Sequence, residues 1–156
     1  MFREMRRKKQ QISEEECIRL LQTAKRGILS VSGDDGYPYG VPMDFVYGDG
    51  KIIFHCAKSG HKLDAVRRLD KVSFCVLSEG IPEENDWWYH FTSVIVFGRI
   101  SEEKDPEEKN RYLRLLGRKY MPSEEVMEED LKKNGPAACV LVLRIECMTG
   151  KKVREK

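Results

Sequence analysis

The segment "FHCAKSGHKL", residues 54–63, concentrates the side chains of this sequence that could do chemistry. It holds two of the three histidines, one of the five cysteines and two lysines. A strand-like apolar run precedes it, and a helical pattern follows it. Groups of these types at the end of a strand could bind a metal ion, supply a reactive thiol or bind an anion.

A metal centre and a catalytic thiol are the weaker interpretations of this segment. Cys56 lies between His55 and His61 in the sequence, and a strand directs the side chains of His55 and Cys56 to opposite faces. A nucleophilic Cys56 would also need a base on its own face, and the sequence supplies none. We therefore predict no metal site and no thiol catalysis here.

The anion interpretation rests on the junction between strand and helix. The N-terminus of a helix offers unpaired N–H groups and a partial positive charge, so it suits a phosphate. Ser59, Gly60, His61 and Lys62 would add a hydroxyl, backbone N–H groups, an imidazole and an ammonium. The alternative is a capped helix with solvated lysines, and the segment by itself leaves both interpretations open.

Strands and short helices must position this segment. Apolar alternation predicts six strands, at residues 26–32, 37–47, 51–57, 71–79, 90–102 and 136–152. Helical spacing predicts helices at residues 13–25, 60–70, 106–120 and 123–132, the first with a capping box formed by Ser13 and Glu16. Strands in hairpin order favour a closed or nearly closed antiparallel β-barrel with peripheral helices, because closure removes exposed edges.

Two prolines interrupt the second predicted strand. Pro38 and Pro42 each lack a backbone donor, so this strand cannot be paired along both edges. A ragged edge strand explains the pattern most simply. In the alternative, Gly40 lets a ligand approach the backbone, and unpaired groups near Val41 and Met43 face that ligand.

A cluster of aromatic residues, "DWWYHF" at 86–91, precedes the fifth predicted strand. Tryptophan and tyrosine in such a loop most often complete a core or an interface. Stacking on a flat aromatic cofactor is the alternative.

Length and charge limit the remaining possibilities. The 156 residues predict one domain, residues 1–156, with residues 1–11 as a flexible basic tail. The net charge of +2, from 28 basic and 26 acidic residues, gives no general field for nucleic-acid binding. No apolar run suits a membrane span or a signal peptide. We predict a cytoplasmic protein with reduced cysteines, since no C-x-x-C pair occurs.

Several segments of the sequence, taken in order, resemble a known protein family. The succession from "RGILSVSGDDGYPYGVPMDFVY" through "FHCAKSGHK" and "SVIVFGR" to the terminal "MTGKK" resembles the pyridoxamine 5'-phosphate oxidase-related, FMN-binding split-barrel proteins. Within that family it is most similar to the nitroimidazole-resistance (Nim-like) branch. The likeness extends over nearly the whole chain, from about Ser13 to Lys152.

The resemblance implies a six-stranded split barrel that forms a homodimer, with FMN bound in clefts between the subunits. Residues Ser59, His61 and Lys62 would hold the FMN phosphate, and Ser93 with Trp87 or Trp88 would reach across from the partner subunit. Carried over by position, the cofactor-binding residues are Gly40, Val41, Pro42, Met43, His55, Cys56, Ala57, Ser59, Gly60, His61, Lys62, Trp88 and Ser93.

The chain departs from the oxidase itself in two places. Where the oxidase has an Arg-Lys pair, this sequence has His61 and Lys62, which weakens phosphate pairing because arginine is bidentate and permanently charged. The C-terminus carries a single Arg154 in place of an arginine-rich substrate motif. Pyridoxamine phosphate oxidation is therefore not expected.

Two functions follow from the resemblance. The first is an FMN-dependent oxidoreductase that reduces a small planar aromatic substrate, such as a nitro compound, with NAD(P)H or another reductant. His55 is the candidate catalytic residue, as a proton donor, and an ordinary strand histidine is the alternative. The second is a non-catalytic split barrel that binds flavin or haem for storage, sensing or protection.

Overall fold

The computed structural model describes residues 1–82 and 89–153. The four helices of this part are α1 (Glu14–Thr23), α2 (His61–Arg68), α3 (Pro106–Tyr120) and α4 (Glu124–Asn134). The strands are β1 (Arg26–Ser32), β2 (Pro38–Asp44), β3 (Val46–Gly48), β4 (Lys51–Ala57), β5 (Lys71–Leu77), β6 (Ile81–Pro82), β7 (Tyr89–His90), β8 (Thr92–Glu102) and β9 (Ala138–Lys152).

Seven of these strands form one antiparallel sheet in the order β2-β1-β5-β8-β9-β4-β3. The first and last strands of this order, β2 and β3, are consecutive in the chain and are separated only by Phe45. The sheet therefore curls back on itself, which confirms the mainly β split-barrel fold. The strand count differs from the predicted six because residues 37–47 break at Phe45, and β6 with β7 forms a separate ribbon.

The C-terminal end of α3 holds the break at Phe45 in place. The Phe45 N–H donates to the Tyr120 hydroxyl at 2.9 Å, and this hydroxyl also bonds to the carbonyl oxygens of Phe45 and Lys25. The Lys119 ammonium donates to the carbonyl oxygens of Phe45, at 2.9 Å, and Ala24, at 2.6 Å. Side chains of α3 therefore replace the ladder partners that Phe45 lacks.

The barrel interior and the outer face of β4 carry separate apolar clusters. The interior is filled by fully buried residues from most strands, including Leu29, Phe54, Phe74, Val96 and Leu141. On the outer face, Ile53 and Val140 pack under Tyr112 and Leu116 of α3. The alternation of strand side chains thus buries β4 on both faces along its first half.

The predicted helices are confirmed, with small changes at their ends. The capping box is present, because Ser13 Oγ accepts from the Glu16 N–H at 3.2 Å and the Glu16 carboxylate accepts from the Ser13 N–H at 3.0 Å. In the described residues, no helix is both long enough and apolar enough to cross a membrane. The cytoplasmic location stays a prediction.

The N-terminal residues contact the barrel at two points. The Phe2 ring stacks on Phe97 with a centroid distance of 5.7 Å, and Gln11 forms a β-bridge with Lys151. A single domain with a flexible tail at residues 1–11 stays a prediction.

Candidate functional site

The barrel is open between β2 and the C-terminal half of β4. Strand β2 pairs with β1 alone, through residues 38–44. Strand β4 pairs with β3 through residues 51–53, whereas residues 54–57 pair only with β9. In the described part of the chain, both strands therefore have one edge without a strand partner here, and we call this place the barrel opening.

Helix α2 begins close to this opening, directly after Gly60. Gly60 has φ +125° and ψ 163°, a conformation that side-chain-bearing residues rarely adopt. Within residues 1–82 and 89–153, no side chain caps the helix, and a Cβ placed on Gly60 would meet no atom within 4 Å. The first N–H groups of a helix have no acceptor inside it. Those of His61 and Lys62 are therefore available to a ligand.

The ammonium of Lys62 extends from α2 to β2. Its Nζ lies 3.2 Å from the Sδ of the buried Met43. A thioether is a weak acceptor. Among the residues that the structure describes, no carboxylate comes within 4.0 Å of this ammonium. The charge of Lys62 is therefore free to pair with an anion at the barrel opening.

The imidazole of His61 is fixed by two neighbours, Tyr39 and Asp34. It stacks on the Tyr39 ring at 4.3 Å with an interplanar angle of 10°, and its Nε2 lies 3.3 Å from Asp34 Oδ2. Asp34 also accepts from Arg68 Nη1 at 3.0 Å, and Arg68 donates to the Gly33 carbonyl. These contacts tie the connection between β1 and β2 to α2.

The structure brings most of the predicted cofactor residues to the barrel opening. Val41 and Met43 point into the barrel, while Gly40 and Pro42 are exposed. Their backbone forms the free edge of β2. Six further residues of this group end β4, connect it to α2 or begin α2, and they are Cys56, Ala57, Ser59, Gly60, His61 and Lys62.

His55 lies on the other face of β4 from Cys56. Its side chain lines a cavity of about 280 Å³ between β4 and the pair of helices α3 and α4, together with Met127, Leu131 and Asn134. Within one chain, His55 therefore faces a different space from Lys62.

Ser93 is not brought to the barrel opening by this chain. Ser93 pairs with Leu77 of β5 and Lys151 of β9, and β1 and β5 separate its strand from β2. Trp87 and Trp88 lie outside the described residues. In the part of the chain that the structure describes, no three histidine, cysteine or acidic side chains are arranged to hold a metal ion.

Sequence reasoning missed the residues that position His61. Asp34 belongs to "GDDG", which the pattern marks only as a turn, and Tyr39 lies between Pro38 and Pro42 in a stretch whose pattern indicates only an edge strand. Arg68 lies two helical turns after His61. No spacing in the sequence links these three residues, because the link is a contact between separate elements.

An apolar row crosses the outside of the barrel. The register places Pro42, Ile28, Cys75 and Ile95 side by side on β2, β1, β5 and β8. Ile28 and Ile95 are each 40% exposed, and Phe97 on the next row is 42% exposed. We call Pro42, Ile28, Cys75 and Ile95 the apolar outer row.

Comparison with known protein families matches residues 13–152 to the family described as pyridoxamine 5'-phosphate oxidase. This match covers most of the chain. No curated protein matches the sequence.

Three solved structures illustrate the shared fold. A conserved hypothetical protein of Mycobacterium tuberculosis has a TM-score of 0.83 at 17% identity, covering 98% of this chain and 96% of its own. A candidate 5-nitroimidazole antibiotic resistance protein of Bacteroides thetaiotaomicron has a TM-score of 0.75 at 20% identity, covering 91% and 86%. The FAD and haem binding protein of Mycobacterium smegmatis has a TM-score of 0.78 at 20% identity, covering 94% and 74%.

Proposed function

We propose, from the premise that the chain belongs to the pyridoxamine 5'-phosphate oxidase family, that it binds FMN with the phosphate at the start of α2. One observation carries this proposal. Among the described residues, the Met43 thioether is the one hydrogen-bond partner of the Lys62 ammonium, which lies beside a helix N-terminus without a side-chain cap and with open space in front of Gly60. An uncompensated cation next to free N–H groups fits a phosphate.

The residues around Lys62 support the same role. The Ser59 hydroxyl and the His61 imidazole would add donors to the phosphate. His61 is held against Tyr39 and Asp34, so its ring needs little further ordering when the ligand binds. In the free protein Asp34 is a partner of His61, and in the complex the phosphate would share that imidazole with it.

The free edge of β2 supports binding of the flavin ring. Backbone N–H and C=O groups without a strand partner can bond to the polar edge of a flat heterocycle. Pro42 has no N–H, so its part of the edge offers acceptors only. The chain at residues 40–43 would lie along the ring, as the family resemblance implies.

The proposed activity is an FMN-dependent reduction of a small planar aromatic compound, with NAD(P)H as the source of electrons. Bound flavin supplies the electron transfer, and the protein has to bind and orient both partners. The likeness in fold to the Bacteroides protein favours a nitro compound as the substrate. The contribution of this chain is therefore to hold the flavin and the substrate in position.

A second candidate function is non-catalytic binding of flavin or haem. The position of His55 favours it, because this candidate proton donor faces the cavity beside α3 and α4 and therefore not the space beside Lys62. The likeness in fold to the Mycobacterium smegmatis protein, which binds FAD and haem, supports it too.

One experiment separates the two candidates. FMN is titrated into the purified protein and followed by flavin fluorescence, and the complex is then mixed with NADH or NADPH and a nitroimidazole without oxygen. We expect binding, bleaching of the flavin absorbance and loss of the nitro compound. Binding without bleaching by either nucleotide would contradict the proposed reduction by NAD(P)H and favour the non-catalytic function. Failure to bind FMN would remove the FMN-dependent activity and non-catalytic FMN binding, and would leave haem binding as the remaining candidate.

We further propose a homodimer that buries the apolar outer row, with FMN near the subunit interface. A contiguous exposed apolar patch typically marks an interaction site. Ile95→Arg should convert the dimer to a monomer in light scattering, because an unpaired charge would be buried. Val126→Arg changes a similarly exposed side chain, on α4, and should leave the dimer intact. A wild-type monomer at micromolar concentration would refute this arrangement.

A further inference from the structure

Two cysteines are directly opposite each other on neighbouring strands. Cys56 of β4 and Cys139 of β9 are partners in the antiparallel register. Opposed residues in such a ladder have Cα atoms about 4.5 or 5.5 Å apart and side chains on the same face. Both separations fall within the range of about 4.4–6.8 Å that disulfides span. The backbone therefore allows a bond between these residues without a shift of either strand.

The side chains of the pair already face each other. Cys139 is buried in the barrel interior, and Cys56 packs against the same apolar cluster. Each thiol influences the pKa of the other. Cys139 Sγ also lies 3.6 Å from the carboxylate of Glu102. The pair is thus packed at one end of the barrel, beside a polar cluster.

The other three cysteines lack this arrangement. Cys75 is opposite Ile28 and Ile95, and Cys147 is opposite Phe97. Cys17 lies on α1 and packs against Gly150. The register of the described strands therefore distinguishes one cysteine pair from the rest.

We infer that Cys56 and Cys139 form a thiol pair that a peroxide oxidises to a disulfide between β4 and β9. In the first step the Cys56 sulfur attacks hydrogen peroxide, which gives a sulfenic acid and one water molecule. In the second step the Cys139 sulfur attacks the Cys56 sulfur, the S–O bond breaks and a second water molecule leaves. Two thiols lose two electrons and two protons in total, and one peroxide is reduced to two water molecules.

The surroundings decide which sulfur reacts first. Burial raises the pKa of both thiols, that of Cys139 to about 11 with the Glu102 carboxylate as a further cause. Lys62 and Arg67 on α2 face Cys56 and favour its thiolate. Cys56 is also the less buried of the two. Because a thiolate is the attacking species, oxidation should start at Cys56 and should be faster at higher pH.

The disulfide would join the two strands immediately before the segment that leads into α2. Cys56 is the penultimate residue of β4, and Cys139 is the second residue of β9. The bond would therefore cross-link β4 to β9 at the edge of the barrel opening, whether or not a flavin is bound there.

The test treats the full-length protein with hydrogen peroxide, blocks the remaining thiols and digests with trypsin without reductant. We expect a linked pair of peptides, residues 52–58 and 134–144, lighter than their sum by two hydrogen atoms. Cys56→Ser and Cys139→Ser should each abolish this product, and Cys75→Ser, the matched control, should retain it.

Protein unfolded in urea provides the second control. The linked pair should form faster in the folded chain than in urea, because the register holds the two sulfurs together. Peroxide treatment that leaves both peptides in the thiol form, or that links the five cysteines at random, would overturn the inference. So would equal rates in the folded and unfolded chain.

Discussion

The break at Phe45 and the barrel opening beside Met43 lie two residues apart. Both have backbone groups without a strand partner, but side chains bond to these groups at Phe45 and leave them open at the barrel opening. At Phe45 the N–H and the carbonyl oxygen are both bonded, to the Tyr120 hydroxyl and the Lys119 ammonium. At the barrel opening, no described side chain caps the start of α2, and the Lys62 ammonium bonds to the thioether of Met43.

The contrast separates an irregularity that the fold requires from one that a ligand can use. Closing the barrel bends the chain at Phe45, and α3 supplies internal partners because unpaired buried groups are costly. At the barrel opening the polar groups face open space, so leaving them unpaired costs little. Substitutions at Phe45's partners should therefore reduce stability, whereas substitutions at the start of α2 should reduce ligand affinity.

The largest expected effect on stability is that of Tyr120→Phe. The change removes the hydroxyl that accepts from the Phe45 N–H and bonds to two carbonyl oxygens. We expect the free energy of unfolding in urea to fall by about 2–3 kcal/mol, the upper part of the range for an unpaired buried group. FMN affinity of the folded protein should not change. A loss of FMN affinity without a loss of stability would show that the break at Phe45 serves ligand binding and not the fold.

A smaller effect is expected for Gly60→Ala, at the barrel opening. Alanine at this position would have to adopt the positive φ of Gly60, which should lower the free energy of unfolding by about 1–2 kcal/mol. The shifted helix start should also weaken FMN binding. Gly50→Ala is the matched control, because Gly50 has φ +68° and open space around it in the turn before β4. If Gly50→Ala weakens FMN binding equally, the effect is not specific to the barrel opening.

The smallest predicted effect is a pH dependence at Lys119. Burial lowers the pKa of Lys119 from 10.5 to about 8. Between these values the unfolded chain holds a proton that the folded chain has released, so stability should rise with pH in this window. The difference in unfolding free energy between wild type and Lys119→Met should therefore increase from pH 8 to pH 10.5. A constant difference would show that the ammonium keeps its ordinary pKa in the fold.

Local patterns predicted most of the fold. The capping box at Ser13, the helix that starts at Pro106 and the edge position of β2 all follow from short-range rules on caps and prolines. The break at Phe45 was missed because the residues on both sides of it have strand character. The break is stabilised by a hydrogen bond from Phe45 to Tyr120, which lies 75 positions away in the chain.

The candidate site was predictable only in part, for a similar reason. The strand-to-helix junction and the uncapped Gly60 follow from neighbouring residues. The stack of His61 on Tyr39 and the contact of Lys62 with Met43 depend on where α2 lies against the barrel. The outward direction of His55 depends on which face of β4 the interior occupies, and alternation alone does not say which.

The most direct test compares FMN with riboflavin, which lacks the phosphate, in wild type, Lys62→Ala and the matched variant Lys58→Ala. Fluorescence titrations should show that wild type prefers FMN. Lys62→Ala should weaken FMN binding by about 1.5–3 kcal/mol, the usual size of a hydrogen bond to a charged group. Its affinity for riboflavin should equal that of wild type. Lys58→Ala should behave like wild type. An equal loss for both ligands in Lys62→Ala, or no loss for either, would contradict the placement of the phosphate at the start of α2.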